Sequence, residues 1–190
     1  NPDAVRAGAK GRELHQWNER HPYPAYLFGF AAGPLQCIHP DGRRPLLTFC
    51  AGATQPASMQ KIFTNVPRMI DFLETRAGVP YPEARFAELL MKKGVPQEAA
   101  SYAVLPESYA ADVLEEPRED WLIVHELAHS WWGNLITCRT WSDFWLNEGV
   151  VTFMTAAWKE QEYGSDEYDR ERFLARRRYS RATESRAPRA

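Results

Sequence analysis

The stretch between Pro117 and Gly133 restricts the fold most. Wound as an α-helix, it places Trp121, Leu122, Ile123, Val124, Leu127, Ala128, Trp131 and Trp132 around nearly its whole circumference. A helix that is apolar all round is buried, so the rest of the chain must wrap it. Pro117 suits the first turn of such a helix and Gly133 the position just past its end. Three ionisable residues interrupt the apolar surface: His125, Glu126 and His129. Burying them without partners is costly, so something must pair them.

Their spacing says what. His125-Glu126-Leu127-Ala128-His129 is an H-E-x-x-H pattern. Residues four apart on an α-helix sit about 40° apart around the axis and one turn along. Both imidazoles therefore reach one metal ion at roughly 2.0–2.1 Å. Glu126 lies about 100° from His125, where it reaches a water on that ion without being a ligand. A hydrolytic zinc site needs three protein ligands and one open position. Glu148 supplies the third, nineteen positions after His129, within Trp145-Leu146-Asn147-Glu148-Gly149. The loop Asn134 to Trp141 is long enough to fold the next helix back beside the first. Ser142-Asp143 predicts the start of that helix, a hydroxyl at the cap and a carboxylate in the first turn. Its end falls near Gly164. Two histidines and a glutamate with one open position suit zinc best, one ion per chain.

Elsewhere the patterns alternate between strand and helix. Tyr26 to Phe30 reads as a buried strand. Apolar runs near Leu35–Ile38 and Leu46–Cys50 flank the turn signal Pro40-Asp41-Gly42. Met59, Ile62, Phe63, Val66, Met69, Ile70 and Leu73 then recur at helical spacing, with Pro67 forcing a kink or a pair of helices. Gly78 sits where a helix-ending glycine belongs. Phe86–Met91 and Tyr102–Leu105 read as strands around a loop at Gly94 to Pro96. The 190 residues are enough for one domain with a core.

Charge excludes some partners. The formal net charge of −2 gives no global attraction to nucleic acid. From Ser165 onward the chain is rich in arginine, but acids are interspersed, which predicts a solvated helix fraying into a tail. No apolar run reaches the roughly 20 residues of a membrane helix, and Asn1 to Lys10 lack the apolar stretch of a secretory signal. Compartment and oligomeric state stay open. Cys37, Cys50 and Cys138 are an odd set. Cys37 and Cys50 could face each other across a hairpin, and the sequence leaves open whether they bond.

The zinc pattern and its flanks resemble the M1 zinc aminopeptidases, members of the gluzincin group. His125-Glu126-x-x-His129 with Glu148 carries the likeness, as do His129-Ser130-Trp131-Trp132-Gly133-Asn134 and Gly78-Val79-Pro80-Tyr81-Pro82. Tyr26-Leu27-Phe28-Gly29-Phe30-Ala31-Ala32-Gly33 resembles the end of that family's N-terminal β domain. The resemblance implies an α+β fold, a thermolysin-like metallopeptidase catalytic domain fragment preceded by a short β segment. Residues 1–50 would end the N-terminal β domain and 51–190 form the truncated catalytic domain, without the C-terminal helical domain. It implies an enzyme that hydrolyses N-terminal residues from peptides, with zinc on His125, His129 and Glu148 and Glu126 as general base. The substrate partner is a peptide with a free N-terminus.

Two departures from the family pattern matter. The family's G-x-M-E-N segment, whose Glu holds the substrate α-amine, corresponds to Gly94-Val95-Pro96-Gln97-Glu98-Ala99. Glu98 is kept, while Gln97 and Ala99 replace Met and Asn. The family's oxyanion-stabilising Tyr lies several tens of residues past the third ligand, and Tyr163, Tyr168 and Tyr179 are too close to fill that place. The chain therefore reads as a central piece of a larger enzyme, weakly active or inactive alone. The alternatives are a thermolysin-type zinc endopeptidase, which needs no amine anchor, and a zinc-binding scaffold without catalysis.

Overall fold

The computed structural model describes residues 4–18, 22–40, 42 and 44–184. Asp41 of the predicted turn lies outside them. Strands β1 (Ala4–Ala7) and β2 (Glu13–Gln16) form an antiparallel hairpin of their own. The main sheet has five strands in the order β3-β4-β5-β7-β6. They are β3 (Gln36–Ile38), β4 (Leu46–Ala51), β5 (Arg85–Met91), β6 (Gln97–Ala99) and β7 (Tyr102–Pro106). β4, β5 and β7 run parallel, while β3 and β6 are antiparallel edges. Parallel strands covered by helices read as near-continuous apolar runs, which is the pattern of Leu89, Leu90 and Leu47 to Ala51. Cys37 pairs with Cys50 across β3 and β4 and is disulfide-bonded to it, S–S 2.01 Å.

Helices α1 (Pro56–Ile62) and α2 (Val66–Ala77) connect β4 to β5, separated just before Pro67. A proline cannot donate the helical hydrogen bond and its ring crowds the preceding turn, so a pair forms in place of one long helix. Gly78, at φ 67°, ends α2 in the left-handed conformation, its N–H bonded to Glu74 O at 2.9 Å. Then follow α3 (Glu107–Glu115), α4 (Trp121–Ala128), α5 (Trp145–Tyr163) and α6 (Ser165–Glu184).

α4 is the buried centre. Leu122, Ile123, Val124, Leu127 and Ala128 pack with Phe86 and Leu90 of β5 and Ile70 of α2 in one apolar core. Asp120 at its start is 1% exposed and is the polar knot of three helices. Its carboxylate accepts from Asn65 Nδ2 (3.1 Å), Tyr163 Oη (2.8 Å) and Trp158 Nε1 (3.3 Å). Among the described residues no helix is long and apolar enough to cross a membrane.

Three elements differ from their predicted form. Tyr26–Phe30 is not a buried strand. Ala25–Leu27 is a 3₁₀ turn entered from Pro24, Leu27 alone is buried, and Phe28 and Phe30 are 70% and 84% exposed. An apolar run signals burial only where a neighbour covers it, and here the chain just past β6 meets the segment at Leu27, through Ala100 N–H to Leu27 O at 3.1 Å. The apolar helix is also shorter than Pro117 to Gly133. Pro117–Glu119 is a separate 3₁₀ turn, and after Ala128 the backbone widens. There the N–H groups of Asn134, Leu135 and Ile136 donate to the carbonyls of His129, Ser130 and Trp131, a wider loop than the α-helical bond makes. Finally, Ser142-Asp143 does not cap α5. Trp141–Asp143 is a 3₁₀ turn held by Thr140 Oγ1, which donates to Asp143 Oδ2 at 2.9 Å.

α6 is a helix, as the mixed charges of that region predict. It packs along α5 and its charges meet the turn Pro117–Glu119, Arg170 with Glu119 at 2.6 Å and Glu167 with Arg118 at 3.8 Å.

Candidate active site

Three elements converge on one spot. α4 presents His125 and Glu126 on successive residues, and His129 stands one turn on at its C-terminal end. α5 lies antiparallel beside it and brings Glu148 in its first turn. His125 Nε2 lies 3.4 Å from Glu148 Oε2, and His129 Nε2 lies 3.8 Å from Glu148 Oε1. Ligand atoms of His125, His129 and Glu148 all fall within 4.8 Å of one another. Edge strand β6 brings Glu98, which with Glu126 and His129 forms a second group of the same tightness. Glu98 is therefore on the His129 side of the cluster.

The imidazoles are oriented from behind. His129 Nδ1 is 3.0 Å from Trp132 O. A carbonyl can only accept, so Nδ1 carries the proton and the lone pair is left on Nε2, toward Glu148. The partner is thus a backbone carbonyl. The nearby side chains of Asn147 and Asp143 are engaged otherwise: Asn147 with Tyr26 and Cys138, and Asp143 with Thr140. Gly133, at φ 132°, makes the turn possible, since a Cβ there would come within 3.0 Å of His129 Nδ1.

Electrostatics follow from burial. Desolvation first, then repulsion from Glu98 and Glu148, pushes Glu126 up to about 8. Glu98 is also raised, chiefly by burial. Glu148 is held below its ordinary value, first by its hydrogen bond with His125. His129 is lowered to about 4, mainly by burial and then by the neighbouring His125. Three carboxyl groups, Glu98, Glu126 and Glu148, thus crowd the place where His125 and His129 meet. This donor set lacks only a positive charge, and a divalent cation that takes nitrogen and oxygen ligands fits it.

Beside His125, away from Glu98, lies a cleft of about 240 Å³ between α4, α5 and α6, lined by Trp121, Thr152, Tyr168 and Arg172 among others. Tyr168 thus borders the site region despite its short distance from Glu148 in sequence. Tyr163 does not, because its hydroxyl is committed to Asp120. Sequence reasoning missed Tyr26, whose hydroxyl accepts from Asn147 Nδ2 at 3.1 Å. Nothing in its local pattern marks it, since its partners lie over a hundred residues away.

An H-E-x-x-H helix with a glutamate from the antiparallel neighbour defines the gluzincin class of metallopeptidase site. The family model described as "Peptidase family M1 domain" matches residues 63–188, and the chain belongs to that family. Leucine aminopeptidase 2 from Aspergillus niger is 29% identical over 157 residues, which cover 80% of this chain and 24% of the relative. The chain thus spans about a quarter of that relative's length. The crystal structure of an M1 zinc metallopeptidase from Deinococcus radiodurans superposes with a TM-score of 0.73 at 23% identity, over 95% of this chain and 40% of that one. An E323A mutant of that metallopeptidase, bound to a Tyr-Ser-Ala substrate, gives a TM-score of 0.73 at 24% identity over 96% and 40%. These structures share the α+β fold.

Proposed function

We propose that the protein of which these residues form the catalytic part is a zinc aminopeptidase, with His125, His129 and Glu148 as metal ligands. The observation that carries this is the convergence of those three ligand atoms within 4.8 Å beside two further carboxyl groups, Glu126 and Glu98. On this reading residues 51–190 are the catalytic domain. Residues 1–50 lead in from a β domain, with Leu46–Cys50 lending a strand to the catalytic sheet.

A zinc ion held there supplies Lewis acidity toward a water and toward the scissile carbonyl. Glu126 takes a proton from the attacking water on its carboxylate and delivers it to the departing amine nitrogen. Its raised pKa makes it a strong enough base to receive that proton, and a nearby cation lowers the value toward working pH. Glu98, 7% exposed on an edge strand, faces the substrate's α-ammonium. Its burial makes that pairing stronger than it would be in water, so a peptide without a free amine gains nothing from it. Gln97 Nε2 donates to Glu98 Oε2 at 2.7 Å and keeps the carboxylate in place. The products are a free amino acid and a peptide one residue shorter.

The test pairs a peptide substrate with its N-acetylated form, and wild type with Glu126→Gln. Cleavage of the free peptide alone, a loss of about 10²–10⁴-fold in Glu126→Gln and an unchanged zinc content are expected. Equal cleavage of both substrates would establish the endopeptidase alternative instead.

A further inference from the structure

The bonds around the short turn Ala25–Leu27 reach every element that carries a site residue. Tyr26 is partly buried, and its phenol oxygen bonds with Asn147, Gly133 and the Thr137 side chain. It accepts from Asn147 Nδ2 at 3.1 Å and donates to Gly133 O at 3.4 Å. Asn147 is 2% exposed and precedes Glu148 in α5. Its other amide atom, Oδ1, accepts from Cys138 N–H at 3.1 Å, which fixes the amide the right way round to donate to the phenol. Gly133 follows Trp132, whose carbonyl accepts from His129 Nδ1. One hydroxyl therefore braces both the residue before Glu148 and the peptide that orients His129. The next residue, Leu27, accepts through its carbonyl from Ala100 N–H, just past Glu98. Asn134 completes the link by donating from Nδ2 to Ala99 O at 3.2 Å.

The ring of Tyr26 is held as well. It contacts Trp141 (5.4 Å between centroids) and Phe144 (6.2 Å), on the turn leading into α5. Ring and hydroxyl thus act on the same two joints, the exit of α4 and the entry of α5. Those joints set the separation of His129 from Glu148.

We propose that Tyr26 is a positioning residue for the metal site: its hydroxyl locks the α4 exit against the α5 entry and so sets the spacing of the His129 and Glu148 ligand atoms. The proposal rests on reading His125, His129 and Glu148 as the ligand set. Groups that support ligands from behind are worth about 10–100-fold in metal affinity.

The experiment measures the zinc dissociation constant of the whole chain by competition with a chromophoric chelator. Tyr26→Phe keeps the ring and removes the hydroxyl; Asn147→Ala removes the same bond from the other side. Each should weaken zinc about 10- to 100-fold with helix content unchanged by circular dichroism. The double variant should lose less than the sum of the two single losses, because both remove the Tyr26–Asn147 bond. A role in folding alone would lower the melting temperature of the metal-free protein and leave the dissociation constant untouched. Zinc affinity within twofold of wild type in Tyr26→Phe, or fully additive losses in the double variant, overturns the positioning role. His129→Ala separates the two layers. If wild type binds zinc no better than His129→Ala, the ligand reading itself fails and the positioning role falls with it.

Discussion

Glu88 sits in the middle of β5 with no exposed surface, and neither carboxylate oxygen has a hydrogen-bond partner among the described residues. It lies between Phe86 and Leu90, which belong to the core against α4. Full burial first, then the nearby Glu126, raise its pKa well above 4.5. An orphaned buried polar group costs about 1–3 kcal/mol, so Glu88→Leu should stabilise the fold by that amount. Each kcal/mol corresponds to roughly 2–4 °C in melting temperature for a chain of this size. The gain must also depend on pH. The folded pKa is raised, so above pH 4.5 folding takes up a proton at Glu88. The stability of the native carboxylic acid is fully present below the unfolded pKa and is lost as pH rises toward the folded one. Its limiting slope is about 1.4 kcal/mol per pH unit for one proton. Leucine removes this dependence, so the variant's advantage should be larger at pH 7 than at pH 5. Urea unfolding of wild type, Glu88→Leu and Glu88→Gln at both pH values, all metal-free, measures it. The glutamine variant should lose the pH dependence and keep part of the orphan cost. An advantage equal at pH 5 and pH 7, or a Glu88→Leu protein less stable than wild type at both, would show that Glu88 has a partner and is charged in the fold.

Other consequences are simpler to measure. Glu98→Ala should raise KM for free-amine peptides far more than it lowers kcat, as expected for lost ground-state binding, and a pure kcat effect would remove Glu98 from the amine site. Cys37→Ser with Cys50→Ser should cost about 3 kcal/mol, the chain-entropy value for a loop near 15 residues, read from denaturation with and without reductant. Asp120→Ala strips three donors of their acceptor at a buried position and should cost on the order of 3 kcal/mol, whereas a loss under about 1 kcal/mol would mean that water replaces the carboxylate.

Much of the site was legible because its chemistry is local in sequence. Four-residue spacing on a helix brings His125 and His129 to one side whatever surrounds them, and their apolar neighbours require the helix to be buried. The pair of helices around Pro67, the glycine end at Gly78 and the β3–β4 pairing follow equally from local backbone rules. Tertiary structure alone decided the rest. Whether Tyr26–Phe30 is covered depends on which surfaces meet it, and the apolar run carries no record of that. The helix ends at Ala128, and Gly133 then turns the chain so that Trp132 O accepts a hydrogen bond from His129 Nδ1. Tyr26 meets Asn147 across 121 positions. No periodicity reaches so far, because hydrophobic pattern reports the neighbours along a helix or strand and not the partners that a fold brings together.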